Sequence, residues 1–300
     1  MSDFILSVEG TEYGKWLAMM LALTSAVAHS VFGALQKGRY DPWLMRGAID
    51  IFSFLIALPI ALFVFPMPEP HVWLILAGVW VIHLIYKYFM AMAYSRGAYT
   101  VVYPVVRGTV PLVTIIAAGF VFGETFTPVQ WGGVSLLSGG IFALAGWNLY
   151  KTDVGRHVLI SALGFAFLTG VIVAIYTTFD AVGVRSTPDP FTFLFWFFVV
   201  DGWVFPIVSF IHWKRMENPP APGPLLRKGF VGALVAFLSF GTVMLATRLD
   251  KVGEAAVLRE TSTVFAALIG WLFLKETVGP VRAGLMAVIA AGAVVVEFGG

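Results

Sequence analysis

Residues 107–140 and 259–292 decide how this sequence folds, because the second stretch repeats the first. The first reads RGTVPLVTIIAAGFVFGETFTPVQWGGVSLLSGG and the second reads RETSTVFAALIGWLFLKETVGPVRAGLMAVIAAG. Without gaps, 8 of the 34 positions are identical, and these include an arginine, a Glu-Thr pair and a proline. A shared apolar composition would hardly align such residues in one register. The sequence therefore predicts an internal duplication.

The composition around this repeat is that of a membrane protein. Of 300 residues, 59% are hydrophobic and only 12% are charged, about half the charged share of a soluble domain. The apolar runs are about 20 residues long, the length that crosses a hydrocarbon core of about 30 Å as a helix. An ordinary soluble enzyme is excluded. A net charge of +2 without a basic stripe also argues against a nucleic-acid partner.

Proline, glycine and charged clusters divide the sequence into ten apolar segments, each of which predicts a membrane helix. The segments lie near 16–35, 43–65, 72–94, 99–122, 128–149, 158–179, 191–212, 229–248, 254–274 and 280–298. After a polar N-terminal segment (1–15), they form a first repeat (16–150) and a second repeat (151–300) of five helices each. Because five is odd, the second repeat must enter the membrane from the opposite side. We predict an all-α integral membrane protein of ten transmembrane helices in two inverted repeats, a common transporter construction.

Ionisable side chains within the predicted spans are costly to bury and are therefore candidates for function. Arg107 lies near the middle of a span between Pro104 and Pro111, which remove backbone donors and loosen the helix. Its mate in the repeat is Arg259. Two guanidinium groups could clamp a carboxylate, phosphonate or phosphate through bidentate hydrogen bonds. With polar residues at helical spacing on neighbouring spans, the predicted substrate-binding residues are Arg107, Arg259, Lys87, Tyr103, Tyr176 and His83.

Three further groups could exchange a proton during a transport cycle if burial shifts their proton affinities into range. They are Glu260, Asp180 and His29. Structural alternatives stay open: His29 could satisfy a buried contact between helices, and Arg46 with Asp50 could form an ion pair four residues apart. Glu124, at the end of a span, is expected to shape a helix hairpin, and the role of Asp201 is open.

Small residues recur every four positions on the fifth and tenth predicted helices. They are Ser135 and Gly139 on the fifth, and Ala283, Ala287 and Ala291 on the tenth. This spacing permits close approach of helices. We expect these residues to pack helices and to contact no substrate.

Signatures of catalysis are missing from the sequence. It has no cysteine, no Gly-x-Ser-x-Gly or His-Glu-x-x-His motif, and five scattered histidines. We therefore expect a protein that is not an enzyme and has no metal and no cofactor.

A shared motif ends the fourth and ninth predicted helices, Phe122-Gly123-Glu124-Thr125 and Leu274-Lys275-Glu276-Thr277, each followed by a proline and a glycine-rich helix. With the ten spans and the duplication, it resembles the EamA branch of the drug/metabolite transporter superfamily. Residues 28–37, AHSVFGALQK, are similar to the His-Ala-x-Trp-Asn-Ala-x-x-Lys stretch of an EamA-like subgroup associated with phosphonate use, with Phe32 and Gly33 at the Trp and Asn positions. The resemblance implies a basket of helices around a central cavity. Helices one, three, four, six, eight and nine would line it, with five and ten packed behind.

The resemblance and the buried arginines together predict a secondary active transporter. The expected cargo is a small zwitterionic or anionic metabolite, namely an amino acid, an organic acid or a phosphonate-like compound. We expect alternating access, proton coupling and export, with a lipid or lipid-headgroup flippase of the same fold as the alternative. The expected partners are the small-molecule substrate and membrane lipids, and the expected state is a monomer or a homodimer.

The location and orientation follow from the same features. A multi-pass protein of a bacterial inner membrane is expected. Counting Lys and Arg in the loops favours external termini by the positive-inside rule. The resemblance implies cytoplasmic termini, so both orientations stay open.

Overall fold

A computed structural model describes residues 1–36, 40–96, 99–150, 156–274 and 279–300 of the chain. The second copy of the Glu-Thr motif, at residues 275–277, and Lys37 lie outside the described residues.

The described residues are helical and form no strand. In chain order the helices are α1 (Ser2–Val8), α2 (Glu12–Gln36), α3 (Pro42–Phe63), α4 (Pro70–Arg96), α5 (Tyr99–Phe122), α6 (Pro128–Tyr150), α7 (Arg156–Ser186), α8 (Pro190–Gly202), α9 (Val204–Arg215), α10 (Pro222–Ala236), α11 (Thr242–Leu249), α12 (Val252–Glu260), α13 (Ser262–Leu274) and α14 (Pro280–Phe298). A π-helical turn, Phe237–Gly241, joins α10 to α11. The all-helical prediction is confirmed, and α1 adds a short helix within the segment 1–15.

Proline and aspartate mark where helices begin. Proline occupies the first position of α3, α4, α6, α8, α10 and α14, where its missing N–H costs no helical hydrogen bond. Asp41 accepts hydrogen bonds from the Trp43 and Leu44 N–H groups at the start of α3, at 2.8 and 3.3 Å. Asp189 caps α8 in the same way, accepting from Phe191 N–H at 2.9 Å. These caps explain why sequence punctuation located the helices.

Nine helical segments within the described ranges are long and apolar enough to cross a membrane. The predicted span 254–274 is not among them, and the structure divides it into α12 and α13 at Thr261. The Thr261 N–H and hydroxyl both donate to the carbonyl of Leu258, at 3.1 and 2.6 Å, so a tight turn replaces the helical pattern. The ten-span inverted repeat stays a prediction.

The chain folds into two compact units. The first comprises Met1–Trp80 and Ala181–Leu249, and the second comprises Val81–Asp180 and Asp250–Gly300. Each unit therefore takes residues from both predicted repeats. In the first unit, α3 packs against α8, α9 and α10, and α2 packs against α10, α11 and the π-helical turn.

In the second unit, α6 packs against α14 and α5, and α12 packs against α5. The contact between α6 and α14 is made through glycine: a Cβ on Gly292 would lie 2.7 Å from the Gly133 carbonyl oxygen. The predicted packing stripes are wrong, because Ser135 and Gly139 on α6 are exposed, as are Ala283, Ala287 and Ala291 on α14. The small residues in contact lie on other faces of the same helices.

Candidate functional site

The predicted substrate-binding residues all belong to the second compact unit. α4 carries His83 and Lys87, α5 carries Tyr103 and Arg107, α7 carries Tyr176, and α12 carries Arg259. All of them except the half-buried Tyr103 are buried. Glu260 at the end of α12 and Asp180 on α7 are buried in this unit as well.

Arg107 and Glu260 form a buried ion pair. Arg107 Nη1 donates a hydrogen bond of 3.0 Å to Glu260 Oε1, and the two side chains are only 7% and 1% exposed. The arginine also lies over the ring of Tyr103, 5.1 Å from its centroid, in a cation–π contact. The sequence pattern pointed to Arg259 as the partner of Arg107 in a clamp. The structure pairs Arg107 directly with the acidic neighbour of Arg259.

Several buried polar atoms lie close to the break between α12 and α13, which follows Glu260. Within the described part of the chain, Glu260 Oε2, Ser262 Oγ and Thr263 Oγ1 are buried and have no hydrogen-bond partner. Buried polar atoms are nearly always hydrogen-bonded, so a group of three beside a helix break is unusual. Such atoms can accept or donate hydrogen bonds to a polar ligand. Sequence reasoning missed Ser262 and Thr263, although their position three and four residues after Arg259 was a signal.

A second polar group joins α4 to α7. His83 Nε2 lies 3.2 Å from Asp180 Oδ2, and both side chains are buried. The His83 ring lies 4.4 Å from the ring of Tyr176, which in turn packs 5.1 Å from Tyr86. Sequence reasoning assigned separate roles to His83 and Asp180, whereas the structure brings them into contact. Tyr86, one helical turn after His83, escaped the sequence analysis.

The apolar side of this group is a well-packed core. Tyr176 belongs to a cluster of buried residues from α4, α5 and α7, against which Tyr86 packs. The cluster comprises Ala93, Val102, Val106, Val110, Ala162, Ala166, Val173 and Tyr176. The tyrosines therefore present apolar rings next to polar and charged groups.

The candidate site combines five buried charged side chains. Arg107, Arg259 and Lys87 are cationic, while Glu260 and Asp180 are anionic. Arg259 interacts electrostatically with Glu260 and with Tyr176. Among these five residues one positive charge is left over, which favours an anionic group. An anion with a carboxylate or phosphonate matches the planar donor fork of arginine.

Glu124 positions α12. Its carboxylate accepts hydrogen bonds from the N–H groups of Val252 and Gly253, at 2.8 and 3.2 Å. A carboxylate at the N-terminus of a helix is stabilised by the helix dipole and satisfies donors that lack an internal partner. The hairpin role stays a prediction, and the structure adds a longer-range one, since Glu124 holds the helix that carries Arg259 and Glu260.

His29 belongs to the first compact unit. Its Nδ1 lies 3.2 Å from Ser239 Oγ, and the hydroxyl of Ser25, one turn earlier on α2, donates to the Ser239 carbonyl at 2.6 Å. These contacts link α2 to the π-helical turn. His29 therefore makes the buried interhelical contact that its structural alternative predicted, and its part in proton transfer stays a prediction.

The first unit contains a separate ion-pair group. Arg46 Nε lies 2.8 Å from Asp50 Oδ1, and Arg46 Nη2 lies 3.2 Å from Asp201 Oδ2. The predicted ion pair of Arg46 and Asp50 is confirmed. Asp201 joins it from α8, so these charges tie α3 to α8.

Within the described ranges, no group of three or more His, Asp or Glu residues could hold a metal ion.

Comparison with known proteins identifies the family. Residues 160–298 match the model of the EamA-like transporter family, and the fold agrees with this match. Residues 160–298, a little under half of the chain, are therefore similar to EamA-like transporters. This family belongs to the drug/metabolite transporter superfamily, so the resemblance found in the sequence is confirmed.

The fold of this chain is also found in a solved crystal structure. The two are 17% identical and align with a TM-score of 0.75, over 94% of this chain and 99% of the other. No curated protein matches the chain. The family and the apolar helices together make this an integral, multi-pass membrane protein that works in transport.

Proposed function

We propose that this chain is a secondary active transporter that moves a small zwitterionic or anionic metabolite, together with a proton, across a bacterial inner membrane. The cargo would be an amino acid, an organic acid or a phosphonate-like compound, and it would cross the membrane chemically unchanged. The observation that carries the proposal is the buried pair of Arg107 and Glu260, with Arg259 close enough to interact with the same carboxylate.

Substrate recognition would centre on Arg107. A carboxylate or phosphonate of the substrate fits the same guanidinium fork that Glu260 occupies in the structure. The excess positive charge of the site supports an anionic group, and the hydroxyl groups of Ser262 and Thr263 supply further hydrogen bonds. The rings of Tyr86 and Tyr176, which face His83, would contact the apolar part of the substrate.

Proton coupling would follow from competition for Arg107. When the substrate takes the guanidinium group, Glu260 loses a cationic hydrogen-bond partner in a buried environment, and a buried carboxylate without such a partner favours its protonated form. One proton would then bind as one substrate binds. The pair of His83 and Asp180, at 3.2 Å, offers a second buried place for a proton. Alternating access of the two predicted repeats, 16–150 and 151–300, would carry both ligands across.

The proposal is tested in liposomes that contain the purified protein. A radiolabelled panel of amino acids, organic acids and phosphonates is offered under a pH gradient of either polarity, and at least one compound should accumulate only with the gradient. Replacing Arg107 with alanine removes a charge-assisted hydrogen bond of about 1.5–3 kcal/mol, so uptake should fall about tenfold or more. Arg215→Ala, an exposed arginine at the end of α9, is the matched control and should transport normally.

Three outcomes would contradict the proposal. Transport of no compound on the panel under either polarity would reject it outright. Equal uptake by the Arg107→Ala and Arg215→Ala proteins would remove Arg107 from the site. Movement of fluorescent lipids between leaflets, unaffected by soluble metabolites, would favour the flippase alternative.

A further inference from the structure

A groove opens in the first compact unit where α2 ends and α10 begins. It has a volume of about 700 Å³ and combines apolar, aromatic and basic side chains. Its lining residues are Leu35, Tyr40, Gly223, Pro224, Arg227, Lys228 and Val231. None of them belongs to the transport site described above, so the groove is a separate candidate for a ligand.

The polar end of the groove is cationic. Arg227 is exposed and Lys228 is half-buried, with Lys228 Nζ 5.8 Å from the centre of the Tyr40 ring. In the part of the chain that the structure describes, neither side chain forms a salt bridge with a carboxylate. The first turn of α10 has no acidic residue and no side-chain cap, so the positive end of its dipole adds to the two charges. This end of the groove is therefore complementary to an anion.

An exposed apolar line begins at Val231, which lines the groove. α10 lies within the candidate membrane span Pro222–Leu249. After Arg227, three exposed apolar residues follow at spacings of four, three and four, which places them on the same helix face as Arg227. The line consists of Val231, Leu234 and Leu238, each between 44% and 49% exposed. In a membrane such a face meets acyl chains, so the groove lies at the boundary between acyl chains and headgroups.

We propose that this groove binds a membrane phospholipid with an anionic headgroup. The phosphate would contact Arg227 and Lys228, and the acyl chains would follow the exposed apolar line of α10. The cationic end is complementary to the phosphate of a lipid or of a small free anion. The apolar wall of Leu35 and Val231 favours the lipid, because a soluble ion would leave this wall without a contact. Basic pockets beside membrane helices bind anionic headgroups for the same reason.

The test measures lipid binding by the full-length protein in detergent. Phosphatidylglycerol and phosphatidylcholine are titrated separately, and the thermal unfolding midpoint is recorded, since a ligand of the folded state raises it. Phosphatidylglycerol should act at a concentration about tenfold or more below that of phosphatidylcholine. The double variant Arg227→Gln/Lys228→Gln should lose this preference.

A matched control separates the groove from general attraction between charges. Lys214→Gln/Arg215→Gln removes two basic side chains that are exposed and do not line the groove, so this protein should keep the preference of the wild type. Arg227→Lys/Lys228→Arg keeps both charges and should keep it too, which guards against a loss of folding in the glutamine variant. Equal weakening in both glutamine variants would overturn the proposal. So would an equal effect of glycerol phosphate at the same concentrations, which would indicate a site for a small anion.

Discussion

The pair of Arg107 and Glu260 shows how single residues carry the proposed mechanism. Both side chains are almost fully buried, and 153 positions separate them in the chain. Removing one member of a buried pair leaves an unpaired charge, which destabilises a protein by about 3–5 kcal/mol. Such a pair is therefore a strong constraint on structure. It also supplies the Glu260 carboxylate, whose charge in the proposed mechanism depends on whether Arg107 binds Glu260 or the substrate.

The Glu260→Gln substitution tests proton coupling at this scale. Glutamine keeps the size of the side chain and can still accept a hydrogen bond from Arg107, but it cannot release a proton. We expect accumulation driven by a pH gradient to be lost, while exchange of labelled for unlabelled substrate continues. Both are measured in liposomes, with Glu217→Gln, an exposed acid, as the control. Unchanged gradient-driven accumulation in Glu260→Gln would show that another group carries the proton.

At the level of secondary structure, the two ends of α12 decide where Arg259 and Glu260 lie. Glu124 holds the first turn of α12 through Val252 and Gly253, and the turn at Thr261 ends the same helix one residue after Glu260. Interrupted helices leave backbone groups beside buried sites, which is tolerated in a membrane only where protein or water satisfies them. The short helix α12 is thus fixed at one end and broken at the other.

The contact between α6 and α14 gives a prediction about element packing. A Cβ on Gly292 would meet Leu137 N at 2.6 Å and the Gly133 carbonyl oxygen at 2.7 Å, whereas a Cβ on Gly284 would meet nothing within 4 Å. Gly292→Ala should therefore destabilise the protein by about 1–3 kcal/mol, since the backbones must move apart. Gly284→Ala, on the same helix, should stabilise it by about 0.5–1 kcal/mol through helix propensity. Thermal unfolding in detergent compares them, and similar midpoints would contradict the close approach.

The whole molecule is organised by charge and hydrophobicity relative to the membrane. At one end of the first unit, Ser2 donates a hydrogen bond of 2.8 Å to Asp189, and Arg248 Nη1 donates one of 2.7 Å to the carbonyl of Thr187. The N-terminal helix, the connection between α7 and α8, and the end of α11 therefore share that end. The basic segment 214–228 runs from the end of α9 into the first turns of α10, and the predicted spans put it on the other side of the membrane.

Labelling of single cysteines tests this topology, because the chain has no cysteine of its own. Ser7→Cys and Glu217→Cys place one thiol each on exposed positions of α1 and of the segment after α9. We expect an impermeant thiol reagent added to intact cells to label one variant and not the other. Which variant reacts decides between the external and the cytoplasmic orientation of the termini. Labelling of both from the same side would contradict an odd number of crossings between them.

The linear pattern of residues was enough to find the helices, the membrane and the family. In lipid each backbone N–H and C=O must bond within its own segment, so apolar length and the positions of proline and aspartate are enough to locate α2 to α7 and α14. The duplication and the Glu-Thr motif pointed to the family that residues 160–298 match. The buried charged residues of the candidate site were also found this way, since a charged residue within an apolar run is apparent from the sequence alone.

Which of these residues meet was settled by the packing of the helices. Helical periodicity shows which residues share one face of a helix. The rotation and axial position of the helices decide which face of a neighbouring helix that face contacts. Packing consequently pairs Arg107 with Glu260 and brings Asp201 to Arg46. It also places α6 against α14 through Gly133 and Gly292, while the predicted small-residue stripes are exposed. The break at Thr261 escaped the sequence for a similar reason. The apolar pattern of residues 254–274 continues on both sides of Thr261, whereas the turn there involves a hydrogen bond from the Thr261 hydroxyl to the Leu258 carbonyl.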